Sequence, residues 1–549
     1  MTADAPRAIV IAPFATPNGP LHAGHLAGPY LNADVYARYL RASGRSVVFP
    51  TGTDDNQTYV TSTALRRGVT ADQLLADSAD GVRRSVAAAG ISTTGFVPAA
   101  ESYATAVLDF LTALHDAGRL ALREVPLPYS EARGEFLLDG LVAGECPVCL
   151  DTTCGGVCES CGHPVDYAEL RDLRSTVDPA DPVTLRPTAL LVLPMEEYRE
   201  QLTRFHAERP FRWRPHIEQL IGELLARPLL DLPITYPIGR GIPAPFAETP
   251  GQVINPWAEA MAQCIHGSWY ALAEQGERTA AVDEHWKAEH AAELVYFLGF
   301  DNAPNWAMTY VALLLAHGER YVRPTAIVCN EFYELGYEKF STSRNHVVWS
   351  EELIAEVPRD LARFYLALTS PEFRRSNFSR AELPVVVNRR LVEPWNALAE
   401  ALAKASAPVA EGTLLDVSAQ GRRRAAALAE RLRPHYRLPS YSISAAAEAI
   451  SAQLGRLRDR ADRVAGDLTA LADLLFEVRT LLAYAAPILI DTAERAAAAG
   501  IDLVLERGGA TIAAFTLPEL PGPELPGPAV PGPAVPGPDL SRPVESSAP

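Results

Sequence analysis

The feature that most constrains this chain is a polar loop between an apolar run and a helical pattern near the N terminus. Residues 8–12 (AIVIA) are typical of a buried parallel strand, and the prolines and glycine within 13–20 interrupt it. His22 and His25 follow, and apolar residues then recur every three or four positions over 26–40. Nucleotides bind at the carboxyl ends of such strands, and helix N-termini favour phosphate. The stretch therefore predicts an α/β nucleotide-binding domain.

Three later stretches repeat the arrangement of an apolar run that ends in a polar loop. They are residues 46–54 (SVVFPTGTD), 294–302 (LVYFLGFDN) and 326–336 (AIVCNEFYELG). Together with the first run they predict an open, mostly parallel sheet. Asp54 ends the first of these stretches, and an acid at the end of such a strand can hold an ammonium group.

Cysteine spacing predicts a metal site rather than disulfides. Five of the seven cysteines lie between 146 and 161, as two CxxC pairs separated by eight residues, with Cys154 between the pairs. Such pairs can close a tetrahedral site on Zn²⁺, and a site with four protein ligands has a structural role. The predicted ligands are Cys146, Cys149, Cys158 and Cys161. Cys154 and His163 remain open as substitutes for one of them.

Composition limits the class of protein without identifying it. The chain has 549 residues, of which 48% are hydrophobic and 21% charged, enough for three to four globular domains. We find no signal peptide and no apolar run long enough to span a bilayer, so we expect a cytoplasmic protein with no membrane partner. The formal net charge of −18 counts mildly against a nucleic-acid partner.

The order of these motifs resembles the class I aminoacyl-tRNA synthetases, and most closely the methionyl-tRNA synthetase family. The order is HAGH at 22–25, TGTDD at 51–55, the cysteine pairs, GFDN at 299–302 and KFSTSR at 339–344. The resemblance implies a Rossmann-like HUP catalytic domain with a zinc-knuckle insertion and a helical, anticodon-binding-like bundle. The expected boundaries are 1–120 and 246–350 for the two catalytic halves, 121–245 for the insertion, 351–379 for a stem link, 380–510 for the bundle and 511–549 for a disordered tail.

The resemblance also implies roles for individual residues. ATP, with its Mg²⁺, and an amino acid would be the substrates. Phosphate charge would be stabilised by His22, His25, Lys339 and Arg344. The nucleotide would be bound by Asn18, Gly24, Gly299, Asp301, Ser341, Thr342 and Ser343. The amino acid would be bound by Pro13, Phe14, Asp54, Ile254, Met261 and Trp306.

Several of these positions depart from the family pattern. Thr342 stands where the family has its second lysine, so one cation of that loop is missing. Ile254, Met261 and Trp306 stand where the family has a tryptophan, a tyrosine and a histidine around the amino-acid side chain. Because pocket changes of one methylene discriminate by about 1–3 kcal/mol, a different amino acid is expected.

The bundle and the tail depart further. Glu400 stands where an anticodon-reading arginine is expected, and no tryptophan follows Trp395. From 517 onward PGP units recur every five residues, which predicts an extended tail that could tether a protein partner. The leading hypothesis is an adenylate-forming ligase that passes the acyl group to a small amine or hydroxylamine in specialised metabolism. The alternatives are a divergent methionyl-tRNA synthetase and a non-catalytic paralogue.

Overall fold

A four-stranded parallel sheet forms the centre of the catalytic half. The computed structural model describes residues 6–98, 101–210, 212–340, 346–464, 466–505 and 508–523. The strands lie in the order Pro324–Asn330, Glu293–Gly299, Ala8–Ile11 and Val47–Val48. Every neighbouring pair is parallel, with Ala8 opposite Glu293 and Val47. The first strand is fully buried, as its unbroken apolar run predicts.

Helices cover both faces of this sheet. The first begins at Ala23, widens over Leu26–Tyr30, where Gly28 and Pro29 interrupt the regular turns, and continues as Leu31–Ala42. All five predicted apolar positions of this helix are buried: Leu26, Tyr30, Ala33, Ala37 and Leu40. The other catalytic helices are Thr58–Arg67, Ala71–Ala88, Glu101–Asp116, Pro256–Glu274 and Tyr310–Ala316. None of the helices in the described residues is long and apolar enough to cross a membrane.

The insertion is an antiparallel sheet with a small cysteine-rich subdomain. Its sheet has the order Leu232–Pro233, Val183–Leu193, Ala121–Ser130 and Glu135–Phe136. The cysteine-rich part contains the strands Val142–Glu145, Thr152–Cys154, Gly156–Val157, Pro164–Val165 and Arg171–Ser175. The insertion also carries two helices, Arg199–Ala207 and Pro215–Leu225. It has a hydrophobic core of its own, which includes Cys146 and Cys158.

A helical region follows the second catalytic half. Two short helices lead out of it, Ser350–Glu356 and the stem helix Arg359–Leu368. The bundle is formed by Glu382–Val387, Glu393–Ser406, Ala419–Leu432, Ile443–Ala461, Leu468–Ala485 and Ile490–Ala498. Its core is continuous with that of the catalytic half.

Arg363 of the stem helix joins the catalytic half to the bundle. Its guanidinium donates to Asp34 Oδ2 (2.6 Å) and to the carbonyls of Ala89 (2.9 Å), Pro487 (2.8 Å) and Ile488 (2.9 Å). Arg363 and Asp34 are 1% and 0% exposed. A fully buried charge pair of this kind is strongly destabilising when one partner is lost.

The C-terminal segment, residues 508–523, corrects the predicted start of the tail at 511. Thr511–Ala513 pairs antiparallel with Leu414–Asp416, and Leu517 and Leu520 are buried. Apolar side chains between the prolines therefore pack on the bundle, which the compositional argument overlooked. Most of the PGP repeats, residues 524–549, lie outside the described residues.

Candidate active site

His22 and His25 lie at the N-terminus of the first helix, beyond the end of the central strand Ala8–Ile11. Their rings stack with centroids 3.8 Å apart. His22 Nδ1 accepts from the backbone N–H of Gly24 (3.1 Å) and His25 (3.4 Å). His25 Nδ1 accepts from the backbone N–H of His22 (3.2 Å). The two histidines therefore cap the helix reciprocally and hold each other in place.

These hydrogen bonds fix which ring nitrogen carries the proton. Since Nδ1 of each ring accepts, a neutral ring carries its proton on Nε2, which is left to donate to a ligand. Burial lowers the pKa of His25 to about 4. Burial, with smaller contributions from His25 and Lys339, lowers the pKa of His22 well below its ordinary value. At neutral pH both residues are therefore uncharged hydrogen-bond donors.

Asp301 follows the strand Glu293–Gly299, and Lys339 lies on a hairpin that follows the neighbouring strand Pro324–Asn330. Lys339 ends the hairpin that pairs Tyr333–Leu335 with Glu338–Lys339, and it forms an ion pair with Glu159 of the cysteine-rich subdomain. Burial lowers the pKa of Lys339, but Glu159 and Asp301 outweigh this and raise it. Asp301 follows Gly299, where a Cβ would lie 2.6 Å from the Asp301 carboxylate. Lys339 is therefore close enough to Asp301 and to His22 for their charges to affect one another's pKa values.

The remaining loop residues predicted to bind phosphate, Ser341, Thr342, Ser343 and Arg344, lie outside the described residues. Phe340 stacks on His22 with ring centroids 4.9 Å apart. A Cβ at Gly24 would lie 3.0 Å from the His22 ring and 3.3 Å from Phe340. The protein's own aromatic rings, His22 and Phe340, therefore occupy the space that a side chain at position 24 would need.

Asp54 lies at the end of a short parallel pair beside the first loop. Its backbone N–H donates to Ala15 O (3.0 Å), and its Oδ2 accepts from Gln57 Nε2 (2.8 Å). Burial raises the pKa of Asp54 to about 7, helped by Asp55 and opposed by Gln57. Phe14 fills the space above Gly52, where a Cβ would lie 3.0 Å from its ring. Pro13 O accepts from Tyr30 Oη (3.1 Å), and Asn18 is half-buried in the same loop.

Two of the predicted side-chain pocket residues meet on Tyr296. Tyr296 Oη donates to Met261 Sδ (3.5 Å), and the Trp306 ring lies edge-on to Tyr296 with centroids 4.8 Å apart. Trp306 also meets Tyr310 edge-on at 5.1 Å. Ile254 is fully buried on the strand Val253–Ile254, at the start of the helix Pro256–Glu274. Sequence reasoning missed Tyr296 and Tyr310, although strand and helix periodicity could have placed them beside the pocket.

A second carboxylate near Asp54 was also missed. Glu259 is 1% exposed and accepts from Asn56 Nδ2 (2.9 and 3.1 Å) and Tyr103 Oη (2.5 Å). Burial raises the pKa of Glu259 to about 8, and Asp54 and Asp55 add to the shift. Glu259 is the one acid within the apolar stretch of residues 256–262, which is the signal that could have identified it.

The cysteine geometry fits a tetrahedral zinc site. The Sγ atoms of Cys146, Cys149, Cys158 and Cys161 all lie within 4.8 Å of one another. Cys146 Sγ is 3.8 Å from Cys161 Sγ, and Cys149 Sγ is 3.6 Å from Cys158 Sγ. Zinc–sulfur bonds of about 2.3 Å in a tetrahedron require sulfur separations of about 3.8 Å. Cys154 and His163 lie outside this group of four, and His163 Nε2 instead faces Glu223 at 3.5 Å.

Comparison with known proteins agrees with this geometry. Residues 8–402 match the family described as tRNA synthetases class I (M). This chain belongs to that family. A methionine–tRNA ligase of Roseiflexus castenholzii is 33% identical over 411 residues, covering 72% of this chain and 68% of that protein. One of Thermococcus onnurineus is 31% identical over 393 residues.

The coverage and identity of these matches limit what can be inferred from them about this chain. The match covers 68% of this chain but 52% of the Thermococcus onnurineus protein, so the chain spans about half the length of that relative. A structure of Mycobacterium tuberculosis methionyl-tRNA synthetase in complex with methionyl-adenylate superposes with a TM-score of 0.70 at 20% identity. The superposition covers 94% of this chain and 99% of the Mycobacterium tuberculosis chain, and it shows that the two chains share a fold.

Proposed function

We propose that this protein activates an amino acid with ATP and transfers the acyl group to a small amine or hydroxylamine. A carboxylate oxygen of the amino acid attacks the α-phosphorus of ATP, and the bond to the β-phosphate oxygen breaks to release pyrophosphate. The amine nitrogen then attacks the carbonyl carbon of the adenylate, AMP leaves, and the amine proton passes to solvent. Mg²⁺ would accompany ATP and neutralise phosphate charge.

The observation that carries the first step is the pair of helix-capping histidines beside Lys339. His22 and His25 each have Nε2–H available, and the two donors are held rigid by stacking and by backbone hydrogen bonds. Preorganised donors of this kind stabilise charge that develops on phosphate oxygens in the transition state. Asp54 would hold the α-ammonium group and Asp301 the ribose. The four cysteines would hold structural Zn²⁺, which stabilises the insertion.

The C-terminal segment covers part of the bundle, and this supports an acceptor other than tRNA. Trp395 Nε1 donates to Pro518 O (2.8 Å), and Asn396 exchanges two hydrogen bonds with the Leu520 backbone (2.8 and 3.0 Å). These residues belong to the stretch that resembles the anticodon-reading motif, so its side chains are engaged by the protein's own C-terminal segment. Glu400, which stands where the family has an arginine and forms an exposed ion pair with Lys404 (2.6 Å), offers phosphate no cation, and the net charge is −18.

ATP–pyrophosphate exchange with individual amino acids, with and without bulk tRNA, tests the proposal. We expect exchange with at least one amino acid and no stable charging of tRNA. AMP release should rise when hydroxylamine or an alkylamine is added. Absence of exchange with every amino acid would contradict adenylation. Efficient charging of tRNA would contradict the proposed small-molecule acceptor but not the adenylation step.

A methionyl-tRNA synthetase is the second candidate. The 33% identity to a methionine–tRNA ligase over 411 residues favours it. Exchange that depends on methionine, followed by charging of the matching tRNA, is its signature.

A further inference from the structure

The surroundings of Asp54 contain more negative charge than one ammonium group needs. Asp55 adds to the rise in the pKa of Asp54, and Asp54 and Asp55 both add to the rise in the pKa of Glu259. Asn56, next to Asp55 in the chain, bonds Glu259 directly, and Gln57 bonds Asp54. In the part of the chain that the structure describes, no hydrogen bond or ion pair joins these acids to a lysine, arginine or histidine side chain. Arg240, the one cation that acts on Asp55 at longer range, bonds Asp72 instead (2.9 Å).

Unpartnered acceptor atoms accompany these carboxylates. Gln57 is 2% exposed, and its Nε2 binds Asp54 while its Oε1 has no hydrogen-bond partner. Asp55 Oδ1 is likewise buried and unpartnered. A buried acceptor without a donor is costly, and such atoms commonly mark a place where a ligand supplies the donor. Both atoms are acceptors, so the missing group is a hydrogen-bond donor.

We propose that this site takes a second ammonium group in addition to the α-ammonium that Asp54 binds, with Glu259 as the residue that selects for it. The inference rests on the proposed function. Burial raises the pKa of Glu259 to about 8, so its carboxyl group holds a proton at neutral pH. A second ammonium group would displace that proton and would donate to the free acceptors. Asn56 and Tyr103 hold Glu259 in place, so that its carboxylate is presented in one fixed orientation.

Two sources could supply the same chemistry. The amino acid itself could carry a second amine, as a diamino acid does. Alternatively, the amine acceptor could enter as a cation and bind before it attacks the adenylate. Both would be recognised through charge attraction at short range in a buried site, where such attraction is strong.

Exchange kinetics distinguish the first source. We compare ornithine, lysine and 2,4-diaminobutyrate with norleucine and methionine in ATP–pyrophosphate exchange. If the amino acid carries the second cation, diamino acids should be preferred in kcat/KM by about tenfold or more, and Glu259→Gln should abolish that preference. Glu274→Gln, on the exposed end of the same helix, is the matched control and should leave the preference unchanged.

Amine-dependent AMP release distinguishes the second source. With a neutral amino acid as the preferred substrate, we compare ethylenediamine with methoxyamine, which is uncharged at neutral pH. Glu259→Gln should raise KM for ethylenediamine by about tenfold and leave methoxyamine unaffected. Tyr103→Phe keeps the Glu259 carboxylate but removes a hydrogen bond that orients it. This variant therefore separates the effect of losing the charge from the effect of losing the orientation.

The outcomes separate the inference from the proposed function. Exchange that prefers a neutral amino acid, together with AMP release that is insensitive to amine charge, overturns the inference while adenylation stands. Absence of exchange with every amino acid contradicts the proposed function. Calorimetry then decides the inference by itself. The wild type should bind lysine more tightly than norleucine, or ethylenediamine more tightly than methoxyamine, and Glu259→Gln should lose that difference. Equal binding within both pairs by the wild type overturns the inference.

Discussion

The catalytic half and the helical bundle treat their buried polar side chains differently. In the bundle, Glu477 accepts from Arg424, Arg456 and Arg460. Near Asp54, by contrast, the acids have no such cations in the described residues, and Gln57 keeps an unpartnered oxygen. Paired charges stabilise architecture, whereas unpaired acceptors are retained where a ligand completes them. The proposed function places small-molecule binding in the catalytic half, where the acceptors near Asp54 lie.

The largest expected effect comes from separating the two regions at Arg363. Arg363→Met leaves the buried Asp34 with Arg38 as its remaining cation and takes the donor from three backbone carbonyls. It should lower the free energy of unfolding by about 3–5 kcal/mol, measured by urea denaturation. The bundle and the catalytic half should then unfold at different urea concentrations. Arg375→Met is the control, because Arg375 pairs with Glu334 on the surface at 3.4 Å, and its effect should stay within about 0.5 kcal/mol. Equal stability of the wild type and Arg363→Met would show that Arg363 does not join the catalytic half to the bundle.

The second effect is confined to the catalytic half. Replacing His25 by alanine removes one preorganised donor and should lower the maximal exchange rate by about 10²–10³-fold. Glu400→Gln should leave the exchange rate unchanged, because Glu400 is an exposed residue of the bundle and does not belong to the proposed site. A comparable loss from both variants would break the proposed division between the regions.

The third prediction concerns pH. Only the ionised Asp54 can bind an ammonium group, and burial raises its pKa to about 7. As pH falls through 7, protonation of Asp54 competes with the amino acid, so KM for the amino acid should rise by about tenfold for each further pH unit. Exchange measured between pH 5 and 8 at saturating ATP tests this. A KM for the amino acid that is constant over this range would exclude Asp54 as the ammonium ligand.

The smallest effect should lie at the C-terminal segment. Trp395→Phe keeps a six-membered aromatic ring but loses the indole N–H that bonds Pro518 and part of the buried ring volume, at a cost of about 1–3 kcal/mol. Proteolysis within 508–523 should accelerate accordingly, while exchange stays constant. Thr516→Val removes an exposed hydrogen bond to Glu411 (2.8 Å) and should change proteolysis less. Protection that is equal in both variants and the wild type would mean that Trp395 does not hold the segment.

Local patterns were sufficient to predict much of this molecule. The four strands of the central sheet, the helix after His25 and the four-cysteine cluster follow from periodicity and from CxxC spacing, since each depends on neighbours in the chain. The C-terminal segment was predicted wrongly from 511 to 523 because composition does not reveal that Leu517 and Leu520 find a surface to bury against.

The tertiary structure alone decided which distant side chains share an environment. Glu259, Asn56 and Tyr103 come from three separate elements, and Lys339 meets Glu159 across 180 residues of sequence. The sequence by itself determined the order of the apolar runs, the cysteine knuckle and the position of the two histidines before a helix, because these depend on residues close together in the chain. Charge excess around Asp54 is a property of burial and of long-range contact, and only the folded chain brings those carboxylates together.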